Sequence, residues 1–154
     1  MESKLANDVN ILVIDDEVEL GNMIVMTLKT KGYEAEFCSD PLLALQKIQS
    51  FKYQLVITDI RMPKLDGLEV LKQVKKISQF IEVVMVTGFS SLELALECLE
   101  MGALDFLFKP FEDIQEIYDT VEAAIRKIHK WRKILAKAGK INKLDPHNIL
   151  NPSK

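Results

Sequence analysis

Four apolar or mostly apolar runs in this chain each end in a polar residue. Val9 to Ile14 runs into Asp15-Asp16, Leu55 to Thr58 into Asp59, Ile81 to Val86 into Thr87, and Leu104 to Phe108 into Lys109. If those ends lie together, three carboxylates, a hydroxyl and an ammonium converge on one shallow site. Carboxylates held that close repel, and one must stay protonated unless a cation joins them. A hard divalent ion with oxygen ligands, Mg²⁺ above all, removes the conflict; it takes one or two carboxylates and keeps several waters. A metal, a lysine and a hydroxyl suit the three equatorial oxygens of a phosphoryl group in transfer, a reaction that requires positioning and charge neutralisation. A carboxylate can itself be the nucleophile, giving an acyl phosphate. Singly, each residue has a plainer role: Asp59 as a strand-end turn residue, Asp16 as a helix cap with Glu19 at capping-box spacing, Thr87 as a turn hydroxyl, Lys109 as a solvated charge. The chemical reading rests on all of them occurring at once.

The elements that must position these groups follow from the hydrophobic pattern. Val9–Ile14 is a β-branched run and reads as a buried strand. A helix follows, with Val18, Met23, Ile24 and Leu28 apolar and Gly32 closing it. Glu34–Cys38 is a second strand. Asp40-Pro41 opens the second helix as cap and first helical residue, with Leu42, Leu45 and Ile48 as its stripe. Residues 54–58 make strand three. Asp66 with Glu69 is a capping-box spacing that starts helix three. Strand four covers 81–86, Ser90 with Glu93 caps helix four, and strand five covers 104–108. A last long helix begins near Glu112. Strands and helices that alternate through short loops imply right-handed crossovers and a parallel sheet covered on both faces, a doubly wound α/β domain. The ligand edge of such a sheet is the one at the carboxyl ends of its strands.

Composition narrows the class. The chain has 154 residues, 48% hydrophobic and 28% charged, a globular balance sized for one domain with a short appendage. No apolar run approaches the length of a membrane span, and the polar N-terminus is not a secretory signal. Cys38 and Cys98 lie far apart and form no metal pattern, which suits a reduced, cytoplasmic chain. The net charge of −3 conceals an asymmetry: residues 126–154 hold nine Lys or Arg and one acid, Asp145, a net +8, which leaves −11 on residues 1–125.

At this point the sequence resembles the receiver domain of two-component response regulators. The matching pieces are Ile14-Asp15-Asp16-Glu17, Thr58-Asp59-Ile60-Arg61-Met62-Pro63 with Asp66-Gly67, Val86-Thr87-Gly88, and Asp105-Phe106-Leu107-Phe108-Lys109-Pro110-Phe111. The resemblance covers residues 8–125, the proposed receiver domain; residues 126–154 form a basic helical extension and loose tail. It implies a flavodoxin-like strand order of 2-1-3-4-5. It implies that Asp59 is the phosphoacceptor. Asp15, Asp16 and Asp59, with the Arg61 backbone carbonyl, are then the Mg²⁺ ligands, Asp16 directly and Asp15 through water. It further implies that Lys109 and Thr87 bind phosphoryl oxygens, that the Lys109–Pro110 peptide is cis, and that Phe106 is the switch aromatic, lacking the hydroxyl that Tyr would carry. Phe89, two residues past Thr87, is the position that tunes dephosphorylation. The function implied is a phosphoacceptor signalling switch rather than an enzyme, taking its phosphoryl group from a sensor histidine kinase or a phosphotransfer protein. Two other classes are a pseudo-receiver, which the complete acidic set with Thr87 and Lys109 opposes, and a small phosphohydrolase, which needs a separate acid–base group. Both histidines, His129 and His147, fall outside the domain.

Two surfaces remain unaccounted for. Ile114, Ile117, Val121, Ala124, Ile128, Trp131, Leu135 and Ala138 are spaced alternately three and four apart, a heptad seam. Its second half, from Ile128, has nothing of its own domain left to cover, so a second copy or a following domain is expected there, the plainer alternative being a frayed basic helix that folds back. The fourth helix is apolar nearly all round, broken only by Glu93, Glu97 and Glu100, which suggests a partner face. The expectation is a homodimer through helix four, strand five, helix five and the extended helix. No fold that reads nucleic acid follows the last helix, so direct nucleic-acid binding is not expected without a further domain.

Overall fold

The computed structural model describes residues 8–88 and 91–138. Ten elements alternate: β1 (Asn10–Ile14), α1 (Val18–Thr30), β2 (Glu34–Cys38), α2 (Pro41–Ile48), β3 (Leu55–Asp59), α3 (Gly67–Ile77), β4 (Glu82–Thr87), α4 (Leu92–Glu100), β5 (Asp105–Phe108) and α5 (Ile114–Lys137). The strands form one parallel sheet in the order β2-β1-β3-β4-β5. Both faces are covered, which is why the strands read as continuous apolar runs rather than alternating ones. Successive side chains leave the sheet on opposite sides. Leu12, Ile14, Val56, Val83 and Met85 pack with residues of α2, α3 and α4. Ile11, Val13, Ile57, Val84 and Val86 pack with α1 and α5.

Local chemistry sets most of the helix starts. Asp40 accepts from the Leu42 N–H at 2.9 Å, with Pro41 at the first helical position. Asp66 accepts from the Glu69 N–H at 2.9 Å. Two starts differ from the sequence reading. The capping box of Asp16 with Glu19 does not form: Glu17 is the N-cap of α1 and contributes no side-chain bond. The carboxylate that meets this turn is Asp15, whose Oδ1 accepts from the Glu17 N–H at 2.9 Å. Ser90 lies outside the described residues, and Ser91 caps α4, its hydroxyl accepting from the Leu94 N–H at 3.1 Å. Gly32 and Gly102 take left-handed φ values of 86° and 101° just past α1 and α4, where a side chain would be strained.

The long helix also departs from the expectation. Ile117, Val121, Ala124 and Ile128 are buried in the α1/α5 core. Beyond them the helix is still attached to its own domain. Lys127 reaches the buried Glu82 at 3.4 Å, the Trp131 ring meets Phe80 edge-on with centroids 5.8 Å apart, and the buried Arg132 donates to the Asp8 carbonyl at 3.2 Å. The seam is therefore used internally as far as Trp131. The apolar surface left over is Ile134, 44% exposed, the outer part of Trp131, 39% exposed, and the half-buried Leu135. On α4 only Cys98 is buried, and Leu92, Leu96 and Leu99 are each about half exposed or more. No described helix is long and apolar enough to cross a membrane.

These contacts make Trp131 part of the domain. Trp131→Ala should lower unfolding stability by about 1–2 kcal/mol through loss of apolar area and the edge-on ring contact. Ile134→Ala should change it by less than about 0.5 kcal/mol. Urea midpoints of the two variants check this.

Candidate functional site

Asp15 follows β1, Asp59 is the last residue of β3, Thr87 the last of β4, and Lys109 follows β5, so all four stand at the carboxyl edge of the sheet. The ladder holds Asp59 in place: it pairs in register with Val86, and the next N–H, Ile60, donates to the Val86 carbonyl at 3.1 Å. The strand therefore extends one residue further than the pattern indicated. The loop after Asp59 is clamped from below by Gly67, whose N–H donates to the Ile60 carbonyl at 2.6 Å. A β-carbon at Gly67 would stand 2.1 Å from the Asp59 carbonyl oxygen, so only glycine lets α3 start this close to the site.

Lys109 reaches back over this edge. Its Nζ lies 3.3 Å from Asp15 Oδ2, 3.3 Å from Glu17 Oε1 and 3.3 Å from Asp59 Oδ2. The contact with hydrogen-bond geometry is the one to Glu17. Asp15 Oδ2 is buried and takes no hydrogen bond, so its contact with the ammonium is one of charge alone. Asp59 Oδ1 accepts from the Ile60 N–H at 2.9 Å. Thr87 is buried, and its carbonyl accepts from the Lys109 N–H at 2.9 Å. The Lys109–Pro110 peptide is cis.

Burial and proximity set the charge states. Burial first, and then the neighbouring Asp15 carboxylate, push the Asp59 pKa up to about 6 against the pull of Lys109. Burial also raises the Asp15 carboxyl, opposed by the Glu17 N–H and the Lys109 charge. Burial works against the Lys109 ammonium, but Asp15 and Asp59 outweigh it and hold its pKa above the usual value.

The donor set fits a hard cation. One oxygen each from Asp15, Glu17 and Asp59 lie within 4.8 Å of one another, and Asp15 Oδ2 is a buried charge with no hydrogen bond. Oxygen-only sites of this kind suit Mg²⁺. Asp16, expected from the sequence as a ligand, is exposed and outside this group of three, whereas Glu17, which the sequence reading left out, is inside it. The signal for Glu17 was its place directly after Asp15-Asp16. Phe106 is half-buried and stacks on Phe108 at 6.3 Å, and both border a cavity of about 10 Å³ shared with Ile60, Thr87, Leu94 and Ala95. Phe89 lies outside the described residues.

The fold and this edge together define a class. Residues 11–122 match the family model of the response regulator receiver domain, and the chain belongs to that family. It is 33% identical over 123 residues to the transcriptional regulatory protein ZraR of Escherichia coli, covering 80% of this chain and 28% of ZraR. It is 34% identical over 112 residues to the sporulation initiation phosphotransferase F of Bacillus subtilis, covering 73% of this chain and 90% of that protein. The receiver domain of NtrX from Brucella abortus superposes at a TM-score of 0.70 with 34% identity, covering 75% of this chain and 98% of that one. A CheY-like receiver domain protein from Methanospirillum hungatei superposes at a TM-score of 0.75 with 27% identity, covering 79% and 97%. The chain spans about a quarter of the length of the ZraR proteins it matches. It is a receiver domain of two-component, phosphorelay signalling.

The raised Asp59 pKa has a signed consequence. In the fold Asp59 binds its proton more tightly than in the unfolded chain, so its contribution to stability is present below about pH 4 and is lost as pH rises through about 6. In buffer without divalent cations, Asp59→Asn should therefore be more stable than the parent at pH 7, by about 3 kcal/mol at most, since one pKa unit is about 1.4 kcal/mol and the shift from 3.8 is about two units. The gain should vanish near pH 4. Thermal melts across that range check both the sign and the window.

Proposed function

We propose that Asp59 accepts a phosphoryl group from the phosphohistidine of a sensor histidine kinase or a phosphotransfer protein, in an Mg²⁺-dependent step, and that the chain works as a switch rather than as an enzyme on external substrates. The observation that carries this reading is the pair of buried carboxylates, Asp15 and Asp59, facing one ammonium, with Asp15 Oδ2 left without a hydrogen bond. A structural ion pair needs one acid for one base. A second buried acid with an open oxygen suits a cation.

In this reading an Asp59 carboxylate oxygen attacks phosphorus. The new P–O bond makes an acyl phosphate while the bond from phosphorus to the donor's imidazole nitrogen breaks; that nitrogen keeps the electron pair and takes a proton from water. Asp15, Asp16 and Asp59, with the Arg61 carbonyl, would hold Mg²⁺, which supplies charge neutralisation when bound. Lys109 pairs with one phosphoryl oxygen and the Thr87 hydroxyl donates to another. Burial favours the reaction because charge contacts are stronger where water is scarce. Phe89 would tune the loss of the phosphoryl group. Acetyl phosphate with Mg²⁺ should add one phosphate to the parent and none to Asp59→Asn, and chelation of the metal should abolish the labelling. Mass spectrometry reads both, and equal labelling of parent and variant removes Asp59 from the role.

The output would pass through Thr87 and Phe106. The cavity beside them, about 10 Å³, is far too small for a phenyl ring. If Thr87 moves toward a phosphoryl group, Phe106 can follow only when Leu94 and Ala95 of α4 give way. That couples the site to the exposed leucines of α4 and to the exposed Phe108 and Ile114. We assign residues 8–125 to the receiver and 126–154 to an extension, and expect phosphorylation to favour a homodimer through α4, β5, α5 and the extended helix. Sedimentation velocity with and without acetyl phosphate, over a range of concentrations, should show a rise in sedimentation coefficient with phosphorylation. The two free, buried cysteines suit the reducing cytoplasm in which such kinases present their phosphohistidine.

A further inference from the structure

Glu17 is the member of this site with no part in the scheme above. Its backbone cannot drift, because its N–H is held by Asp15 Oδ1 at 2.9 Å and its carbonyl accepts from Gly21 in the first turn of α1. Its side chain is 64% exposed, yet it receives the hydrogen bond from Lys109, a residue 92 positions away. The two buried carboxylates stand equally near the ammonium, at 3.3 Å. The exposed carboxylate thus orients an ammonium whose charge the buried pair needs.

We infer that Glu17 is a positioning residue that tethers Lys109 and so restrains phosphoryl uptake at Asp59. The inference rests on the reading of Asp59 as phosphoacceptor. A phosphoryl group joined to Asp59 Oδ2 must fit where the ammonium now stands, 3.3 Å from that oxygen. Lys109 has three N–H donors fixed in tetrahedral directions. One is taken by Glu17, and turning toward a phosphoryl oxygen breaks that bond. The tether is weak enough to break, since a half-exposed ion pair is a small interaction. It is also well placed to matter, because it acts on the one cation among the described residues that touches both Asp15 and Asp59.

Two variants separate the tether from the mere presence of a negative charge. Glu17→Ala removes both. Glu17→Asp keeps the charge but is shorter by one methylene, about 1.5 Å, which takes the carboxylate out of hydrogen-bond reach of Lys109. Neither substitution removes a helix cap, because Glu17 caps α1 with its backbone alone. The tether requires both variants to take phosphoryl from acetyl phosphate, at Mg²⁺ saturating for each protein, about three-fold faster than the parent at sub-saturating donor, the scale of one partly exposed ion pair. Both should also bind beryllofluoride, a phosphoryl mimic, with a correspondingly lower half-saturation. In metal-free protein the Lys109 ammonium protons should exchange with water faster in both. A gain in Glu17→Ala alone, with Glu17→Asp like the parent, overturns the tether and leaves a plain charge effect; equal or slower uptake in both variants overturns it as well. If the parent itself takes no phosphoryl group, the phosphoacceptor reading fails instead.

Discussion

Two carboxylates, Asp15 and Asp59, are buried side by side at the end of a parallel sheet, and one ammonium, Lys109, faces both. Burial alone makes such a pair costly, and each carboxylate makes the other worse. The ammonium offsets part of that cost, as the direction of all three pKa shifts indicates: both acids stay above their usual range and the lysine is held above its own. The edge is therefore under electrostatic tension. An added cation would relieve it, and a signalling switch needs a site whose charge balance a single group can alter.

The fold's task is to hold that tension without yielding. The sheet does so by placing the two carboxylates at the ends of β1 and β3, strands that are buried throughout except at Asn10. Asp59 is still inside the ladder, locked by its register with Val86, and the loop after it is pinned by Gly67 at a distance that admits no side chain. The softer parts lie beside this frame. Phe106 and Phe108 stack on the last strand next to α4, most of whose large apolar side chains face outward. A rigid acidic edge and a loosely packed neighbouring helix are the two halves from which a local charge event could become a change of surface.

At the other end of the molecule, α5 does not leave its domain where the family match ends at residue 122. Lys127, Trp131 and Arg132 attach it to β4, to the loop before β4 and to Asp8, just before β1. The extension thus has a defined direction set by three contacts of different kinds: an ion pair, a ring contact and a buried guanidinium.

The sequence by itself determined the alternation of strands and helices, the strand-end positions of Asp59, Thr87 and Lys109, and the caps at Asp40 and Asp66, because these depend on periodicity and on bonds between residues two or three apart. Its family motifs also carried the strand order. What only the tertiary structure decided were contacts between distant parts of the chain. Asp15 rather than Asp16 turns inward, and Glu17 joins the site because Lys109 comes within 3.3 Å of it across 92 residues. Trp131 finds Phe80, and Arg132 finds the Asp8 carbonyl, so the second half of the heptad, which read as free, is partly spoken for. Long side chains such as Glu, Lys, Arg and Trp have several rotamers of similar energy, and no local pattern says which will be used. The neighbour that packing brings within reach makes that choice.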